Sequence, residues 1–364
     1  PGPNPAPLVG RFRLVASSSP LGPCTGLKID DQTRPALGVN VRELAYFGES
    51  QWPNTTAADR EGFCDEVRTM KMRWVRFFAA HADFSEDDIV NHTRAALDVI
   101  ADRGLLAVVV FADSIKNIKL YPAGDDLSHN VSELNHLNKD YFRDKRYRDH
   151  YLPLVVRLVT EFRTHPGVGM WQLMNEPAIY PAPASPDDVQ KFGEFVDEAS
   201  ARIYQLDKTH PISIGMVNCA HIMPPGLDLT QFATDFYSKR RHIHVVSCHS
   251  YQKTDNSNSD ASWDHEDNAN ADIQAAAQTG RAVFWTEFGS SQAADRVQST
   301  RRFLSRHLDQ QRASGALQWA FMIGPHFAPD KGVGDHDFGF STASFNKQFN
   351  ELRDLFIGFL DNLM

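Results

Sequence analysis

No stretch of this chain approaches the roughly 20 apolar residues that a membrane-spanning helix needs. It also lacks a Lys/Arg-rich stripe, and its net charge is −9. A bilayer span is therefore excluded, and nucleic acid is an unexpected partner; a neutral ligand fits better. Cysteine is scarce. Cys24, Cys64, Cys219 and Cys248 are the only four, and no two form a C-x-x-C pair. Zinc and dithiol redox chemistry lose their usual signature, and free buried thiols are expected, with one disulfide as the alternative. No glycine-rich loop follows the first strand-like segment, where Val41-Arg42-Glu43-Leu44 stands instead. That omission argues against a phosphate cradle and against an open doubly wound sheet. Methionine is missing from position 1, so an upstream segment is expected to have been removed. The alternating prolines of Pro1 to Pro7 read as an extended tail. Sequons at Asn54, Asn91 and Asn130 point only weakly to secretion.

What the chain does have is a repeating alternation of strand-like and helix-like segments. Eight short runs rich in Val, Ile, Phe and Trp fall at 36–41, 73–78, 105–111, 169–174, 212–216, 244–248, 282–286 and 315–320. Such runs suit strands buried on both faces. Between them, Ser85 and the Ser185-Pro186 pair read as helix starts. Ser344 reads as the start of the last helix. Pro153, inside the helical stretch 144–162, should start a second helix or kink the first. Eight alternating units predict an α/β fold, a closed (β/α)8 TIM barrel. Residues 1–33 are assigned to a tail and a short N-terminal hairpin capping one end, and residues 34–364 to the barrel. Long segments after strands three, four, six and eight would build loops at the C-terminal face, where such barrels carry their chemistry.

Two glutamates stand at that face. Glu176 ends Met170-Trp171-Gln172-Leu173-Met174-Asn175-Glu176, and Glu287 ends Val283-Phe284-Trp285-Thr286-Glu287. Paired carboxylates at facing strand ends are the minimal machinery for breaking a glycosidic bond. Glu176 is assigned as acid/base, its pKa raised by the neighbouring charge, and Glu287 as ionised nucleophile. Surface capping of each strand would be the bland alternative for one such residue; for both it is remote. Asn175 could hold the sugar hydroxyl beside the reacting carbon, or merely turn the chain before Pro177. Arg76, in an otherwise apolar strand, needs a carboxylate partner, for which Glu287 is the natural choice. His249 and Tyr251, two apart, face the same way. Tyr251 could donate to Glu287, and His249 could bond the sugar or position Glu176. Trp319 is either a stacking platform for a pyranose or a core residue. Trp52, Tyr180, Trp263 and Phe327 fall in rim loops and could line further subsites. His242-Ile243-His244 begins a strand at the opposite end and reads as structural. Asp335-His336-Asp337 and Asp264-His265-Glu266-Asp267 read as solvated acidic loops, so no metal and no cofactor is expected.

The chain resembles clan A glycoside hydrolases, most of all family 5. The residues that carry the likeness are Ala36-Leu37-Gly38-Val39-Asn40 with Arg34-Pro35 before it, Val75-Arg76-Phe77, Asn175-Glu176-Pro177, His249-Ser250-Tyr251, Thr286-Glu287-Phe288-Gly289 and Trp319. They run in the family's order from about residue 34 to 320, although Asn-Glu-Pro is shared across the clan and family 39 is a rival. The resemblance implies a retaining enzyme without cofactor that acts on β-linked polysaccharide. One departure stands out. The family usually carries a histidine after strand three, and Val110-Phe111-Ala112-Asp113-Ser114 has none; His81 or Asp113 would fill that space. The approach to Glu176 from Tyr141 is similar to that of β-mannanases, so β-1,4-mannan is the expected substrate. A β-glucanase or cellulase, or an exo-acting β-glycosidase, is the alternative. A non-catalytic carbohydrate-binding barrel is the reading from another class, against which both glutamates count. A metal-dependent amidohydrolase would need His-x-His after the first strand, which is missing. A secreted monomer is expected.

Overall fold

The computed structural model describes residues 4–19, 22–30, 36–50, 55–115, 128–131, 134–252, 263–264, 266–290, 296–310, 313–322, 340–341 and 346–362. Eight parallel strands close into a barrel: β1 (Ala36–Asn40), β2 (Trp74–Phe78), β3 (Leu106–Val110), β4 (Val168–Gln172), β5 (Ile212–Ser213), β6 (Val245–Gln252), β7 (Ala282–Ser290) and β8 (Gly315–Gln318). Each pairs with the next, and Gly315 against Ala36 joins β8 to β1. All eight lie where the apolar runs place them, although β6 and β7 extend several residues further toward the mouth. Helices α1 (Ala57–Thr69), α2 (Glu86–Asp102), α3 (Tyr151–Phe162), α4 (Pro186–Leu206), α5 (Leu229–Ser238), α6 (Glu266–Gln278), α7 (Arg296–Leu304) and α8 (Asn346–Asn362) surround it.

Helix boundaries follow local chemistry. Ser85 and Ser185 each accept from the N–H three residues on, and Asp88 and Asp188 reach back to the capping residue's own N–H. Pro153 sits in the first turn of α3, after a short helical turn at Arg146–Arg148. It therefore starts a second helix, where a missing N–H costs nothing. Ser344 lies outside the described residues. The insertion after β3 carries a hairpin, Ser128–Val131 paired with Leu134–Leu137.

Inside the barrel, side chains alternate along each strand. On β2, Trp74, Arg76 and Phe78 point inward, while Val75 and Phe77 pack against the helices. The lowest layer is apolar, with Trp74, Leu106, Met170, Phe284 and Leu317 in contact. Two aromatics fit there because glycine faces them. A Cβ on Gly169 would fall 2.5 Å from the Trp74 ring, and one on Gly315 2.4 Å from Phe284. The N-terminal hairpin, Phe12–Ser19 against Gly22–Ile29, joins this layer through Phe12 and Leu27. It caps the barrel floor as expected. Three cysteines are buried and all four are free thiols. Among the described residues no helix is long and apolar enough to cross a membrane.

Candidate active site

Above the apolar floor the barrel turns polar, and the cause is Arg76. It is fully buried, and its guanidinium spreads its donors over four acceptors: Gln172 Oε1 at 2.8 Å, Asn40 Oδ1 at 2.9 Å, Asn175 Oδ1 at 2.7 Å and Glu287 Oε1 at 2.6 Å. A buried cation is tolerable only with this degree of satisfaction. Asn40 and Gln172 play no part in the sequence reading of the site. The signal for them was there: each is a polar residue in an otherwise apolar run. Asn40 Nδ2 in turn ties to the Thr286 and Leu317 carbonyls, and Gln172 Nε2 to Ser213 Oγ.

Glu287 lies at the top of β7 and is 3% exposed. Besides Arg76 it accepts from the Tyr251 hydroxyl, and His249 Nδ1 stands 3.5 Å from its second oxygen. Burial pushes its carboxyl above the ordinary glutamate range, while His249, Arg76 and the Tyr251 bond pull it back. Arg76 thus acts in the expected direction, but burial outweighs it.

Glu176 is more open, its side chain 19% exposed. Its Oε1 lies 2.7 Å from His249 Nδ1, and His249 Nε2 lies 3.0 Å from the Thr286 hydroxyl. An ionised Glu176 can only accept, so Nδ1 then carries the hydrogen and Thr286 donates to Nε2. The backbone here is unusual: Glu176 has φ of +46°, in the left-handed region disfavoured for a residue with a Cβ. Neighbouring strand ends clamp it there. Its N–H bonds the Gly215 carbonyl at 2.9 Å, and its carbonyl accepts from Ser114 Oγ at 2.6 Å. Gly215 itself has φ of +99°, and a Cβ on it would collide with the Met174 carbonyl at 1.8 Å. An oxygen of Glu176, an oxygen of Glu287 and a ring nitrogen of His249 all lie within 4.8 Å of one another. By donor type those three could also hold a cation.

A family model described as Cellulase (glycosyl hydrolase family 5) matches residues 38–322, most of the barrel and all of this network. The chain belongs to glycosyl hydrolase family 5. It is accordingly a glycoside hydrolase. No curated protein sequence matches it significantly. Among solved structures, the endo-1,4-β-mannanase of Rhizomucor miehei is similar at 13% identity, covering 95% of this chain and 98% of that one with a TM-score of 0.68. A family 5 mannosidase from the same organism shares 13% identity, covers 93% and 97%, and gives 0.65. The endo-β-1,4-mannanase of Thermotoga petrophila shares 16%, covers 91% and 77%, and gives 0.64.

The family 5 motif residues Arg76, Asn175, Glu176, His249, Tyr251 and Glu287 thus form one connected cluster. Trp319 lies beside it, 8% exposed, in an apolar group with Phe78, Val110 and Tyr251. Of the rim aromatics, Tyr180 packs against His136 at 4.6 Å, and its phenol is raised by burial and by the charge of Glu176. Trp52 and Phe327 lie outside the described residues; of Trp263 only the backbone is described, paired with Gln252. Of the two residues considered for the space after strand three, Asp113 reaches Asn175 Nδ2 at 3.0 Å, whereas His81 packs against Tyr46 and Phe84. His244 is structural, as its position implies. It accepts from the Ile212 N–H and donates to the Ala6 carbonyl, and burial lowers its pKa to about 4. Glu266, expected in a solvated loop, is instead the buried first residue of α6, paired with Arg306 and His307, and Asp335-His336-Asp337 lies outside the described residues.

Proposed function

We propose that this family 5 enzyme is a retaining β-glycosidase that cleaves internal β-1,4 bonds of mannan. The observation that carries the reading is the closeness of the two carboxylates, with oxygens inside 4.8 Å. Retaining enzymes hold the carboxyl groups about 5–5.5 Å apart, and inverting ones leave about 6.5–9.5 Å for a water. Exposure divides the roles. Glu287, buried and held by Arg76 and Tyr251, is suited to attack the anomeric carbon. Glu176, partly open, is suited to reach the leaving oxygen and later a water.

In the first step Glu287 bonds to the anomeric carbon as the glycosidic bond breaks, and Glu176 gives its proton to the departing oxygen. In the second, Glu176 takes a proton from water as that water displaces Glu287, and both residues return to their starting states. Asn175 holds the adjacent hydroxyl, His249 supports the charge on Glu176, and Trp319 underlies the sugar ring. Proton NMR of the first anomer released tests the stereochemistry, and an α anomer from a β substrate would end the reading.

The choice of mannan is supported by the mannanase-like stretch before Glu176 and by the mannanases and mannosidase among similar folds. A polymer substrate also favours secretion. A second mode has its own support. The hairpin at 128–137 brings His136 against Tyr180 beside Glu176, a wall that could close one end of the cleft. Viscosity decides between the modes. Internal cutting lowers the viscosity of mannan early and yields mixed oligosaccharides, while a closed pocket releases monosaccharide with viscosity nearly unchanged. Cleavage of glucan with mannan untouched would overturn the substrate.

A further inference from the structure

The Asn175 amide is gripped from both ends by groups of opposite hydrogen-bonding character. Arg76 Nη2, which can only donate, is 2.7 Å from its oxygen. Asp113 Oδ1, which as a carboxylate only accepts, is 3.0 Å from its nitrogen. One orientation of the amide satisfies both, and the reverse would set donor against donor and acceptor against acceptor. The nitrogen spends one hydrogen on Asp113 and keeps a second, next to Glu176 in the barrel mouth.

Asp113 is itself fixed. Its Oδ1 also accepts from the Ile115 N–H at 3.0 Å, and its Oδ2 takes Arg42 Nη2 at 2.8 Å. Arg42 is braced in turn, lying over the Phe78 ring at 5.6 Å while its carbonyl accepts the Phe78 N–H at 3.1 Å. The backbones of residues 113 and 175 are bridged, with Asn175 N–H to the Ala112 carbonyl at 2.8 Å and Ser114 N–H to the Asn175 carbonyl at 3.0 Å. Asp113 is only 7% exposed. A carboxylate this buried is retained at a cost.

We infer that Asp113, braced by Arg42, is a positioning residue that fixes Asn175 as a hydrogen-bond donor toward the sugar hydroxyl beside the reacting carbon. The inference rests on the glycosidase reading above. Bonds to that hydroxyl strengthen in the transition state, so loss of alignment should weigh on kcat more than on KM. It should also vanish when the hydroxyl is absent.

The test compares an aryl β-disaccharide with its analogue lacking the C2 hydroxyl next to the scissile bond, in the unsubstituted enzyme, Asp113→Leu, Asn175→Ala and the double variant. Asp113→Leu should lower kcat/KM on the hydroxylated substrate by about 10- to 100-fold, the scale of a small misplacement, and on the deoxy analogue by less than about threefold. In the Asn175→Ala background the same substitution should cost little, since Asp113 acts through Asn175. Arg42→Gln should reproduce the pattern more weakly. If Asp113→Leu folds poorly, Asp113→Asn serves, because a single amide oxygen cannot satisfy both Arg42 and Asn175. A second readout needs no turnover: the side-chain amide signal of Asn175 in a proton–nitrogen NMR spectrum should shift when Asp113 is replaced. Equal losses on both substrates, additive losses in the double variant, or an unmoved amide signal would each overturn the inference. Inactivity of the unsubstituted enzyme on every glycoside would overturn it together with the reading beneath it, and would be evident before any substitution.

Discussion

The groups that touch the Glu287 oxygens, Arg76 and Tyr251, are donors. The nearby carboxylate of Glu176 is already assigned to proton transfer, so none of the three can take the place of Glu287. Glu287→Ala should therefore fold normally and lose turnover on the order of 10⁶-fold, as removal of a nucleophile does elsewhere. Added azide, entering the space of the missing carboxylate, should restore part of the activity on an activated aryl β-glycoside and give the α-glycosyl azide. Near-native hydrolysis by the alanine variant would remove Glu287 from the mechanism. Glu176→Gln should act differently. It should slow polysaccharide cleavage far more than cleavage of a glycoside with an activated phenol, which scarcely needs protonation. Equal losses on both would contradict the acid role. The sequence made Arg76 legible as Glu287's partner, since a lone cation in an apolar strand demands an anion. It could not show that Asn40, Gln172 and Asn175 share that cation. Satisfying the several N–H groups of one guanidinium takes side chains from strands far apart in sequence.

Among the elements, β7 shows where periodicity stops being enough. Strict alternation from Ala282 and Phe284 would turn residue 286 inward and 287 away from the mouth. The ladder instead slips between Cys248 and His249 on one side and between Trp285 and Phe288 on the other. The extra residue, Thr286, lets Glu287 face Glu176 and leaves the Thr286 hydroxyl for His249. A run such as Ala-Val-Phe-Trp-Thr-Glu-Phe carries no local mark of that slip. Helix α6 holds a second unannounced feature. Asp272 is fully buried, accepts the Cys219 N–H at 2.9 Å, and lies by Cys219 and Tyr237, whose own neighbour is Cys248. Burial raises its pKa to about 6, while the Cys219 thiol and N–H and the nearby Tyr237 phenol work the other way. Because the folded state holds this proton more tightly than the unfolded chain, the group's contribution to stability is full below about pH 4. It is lost as pH rises through about 6, by about 3 kcal/mol. Asp272→Asn keeps the acceptor and removes the titration. The variant should be more stable than the parent at pH 7.5 and no more stable at pH 4, as read from urea midpoints. The same difference at both pH values would show that Asp272 does not titrate in this way.

For the molecule as a whole, the two ends of the barrel have separate duties. Phe12 is fully buried against the floor and lies on the far side of the apolar layer from the two glutamates. Phe12→Ala should cost about 3–5 kcal/mol by emptying that site. At a temperature where the variant is folded, kcat/KM should stay within about twofold, since the chemistry sits at the opposite face. A large loss of kcat/KM in the folded variant would mean that floor and mouth are coupled. The sequence by itself determined the eight alternating units, the hairpin, both glutamates at strand ends and the order of the family 5 motifs. Those properties are written in local period, in end signals and in residue type. Only the closed barrel decided that Arg76 binds four acceptors, that β7 slips at Thr286, that Glu176 is held at positive φ and that Asp113 grips Asn175. Each of these depends on which strand ends become neighbours once the sheet curls and staggers, a distance between remote residues that no local pattern encodes.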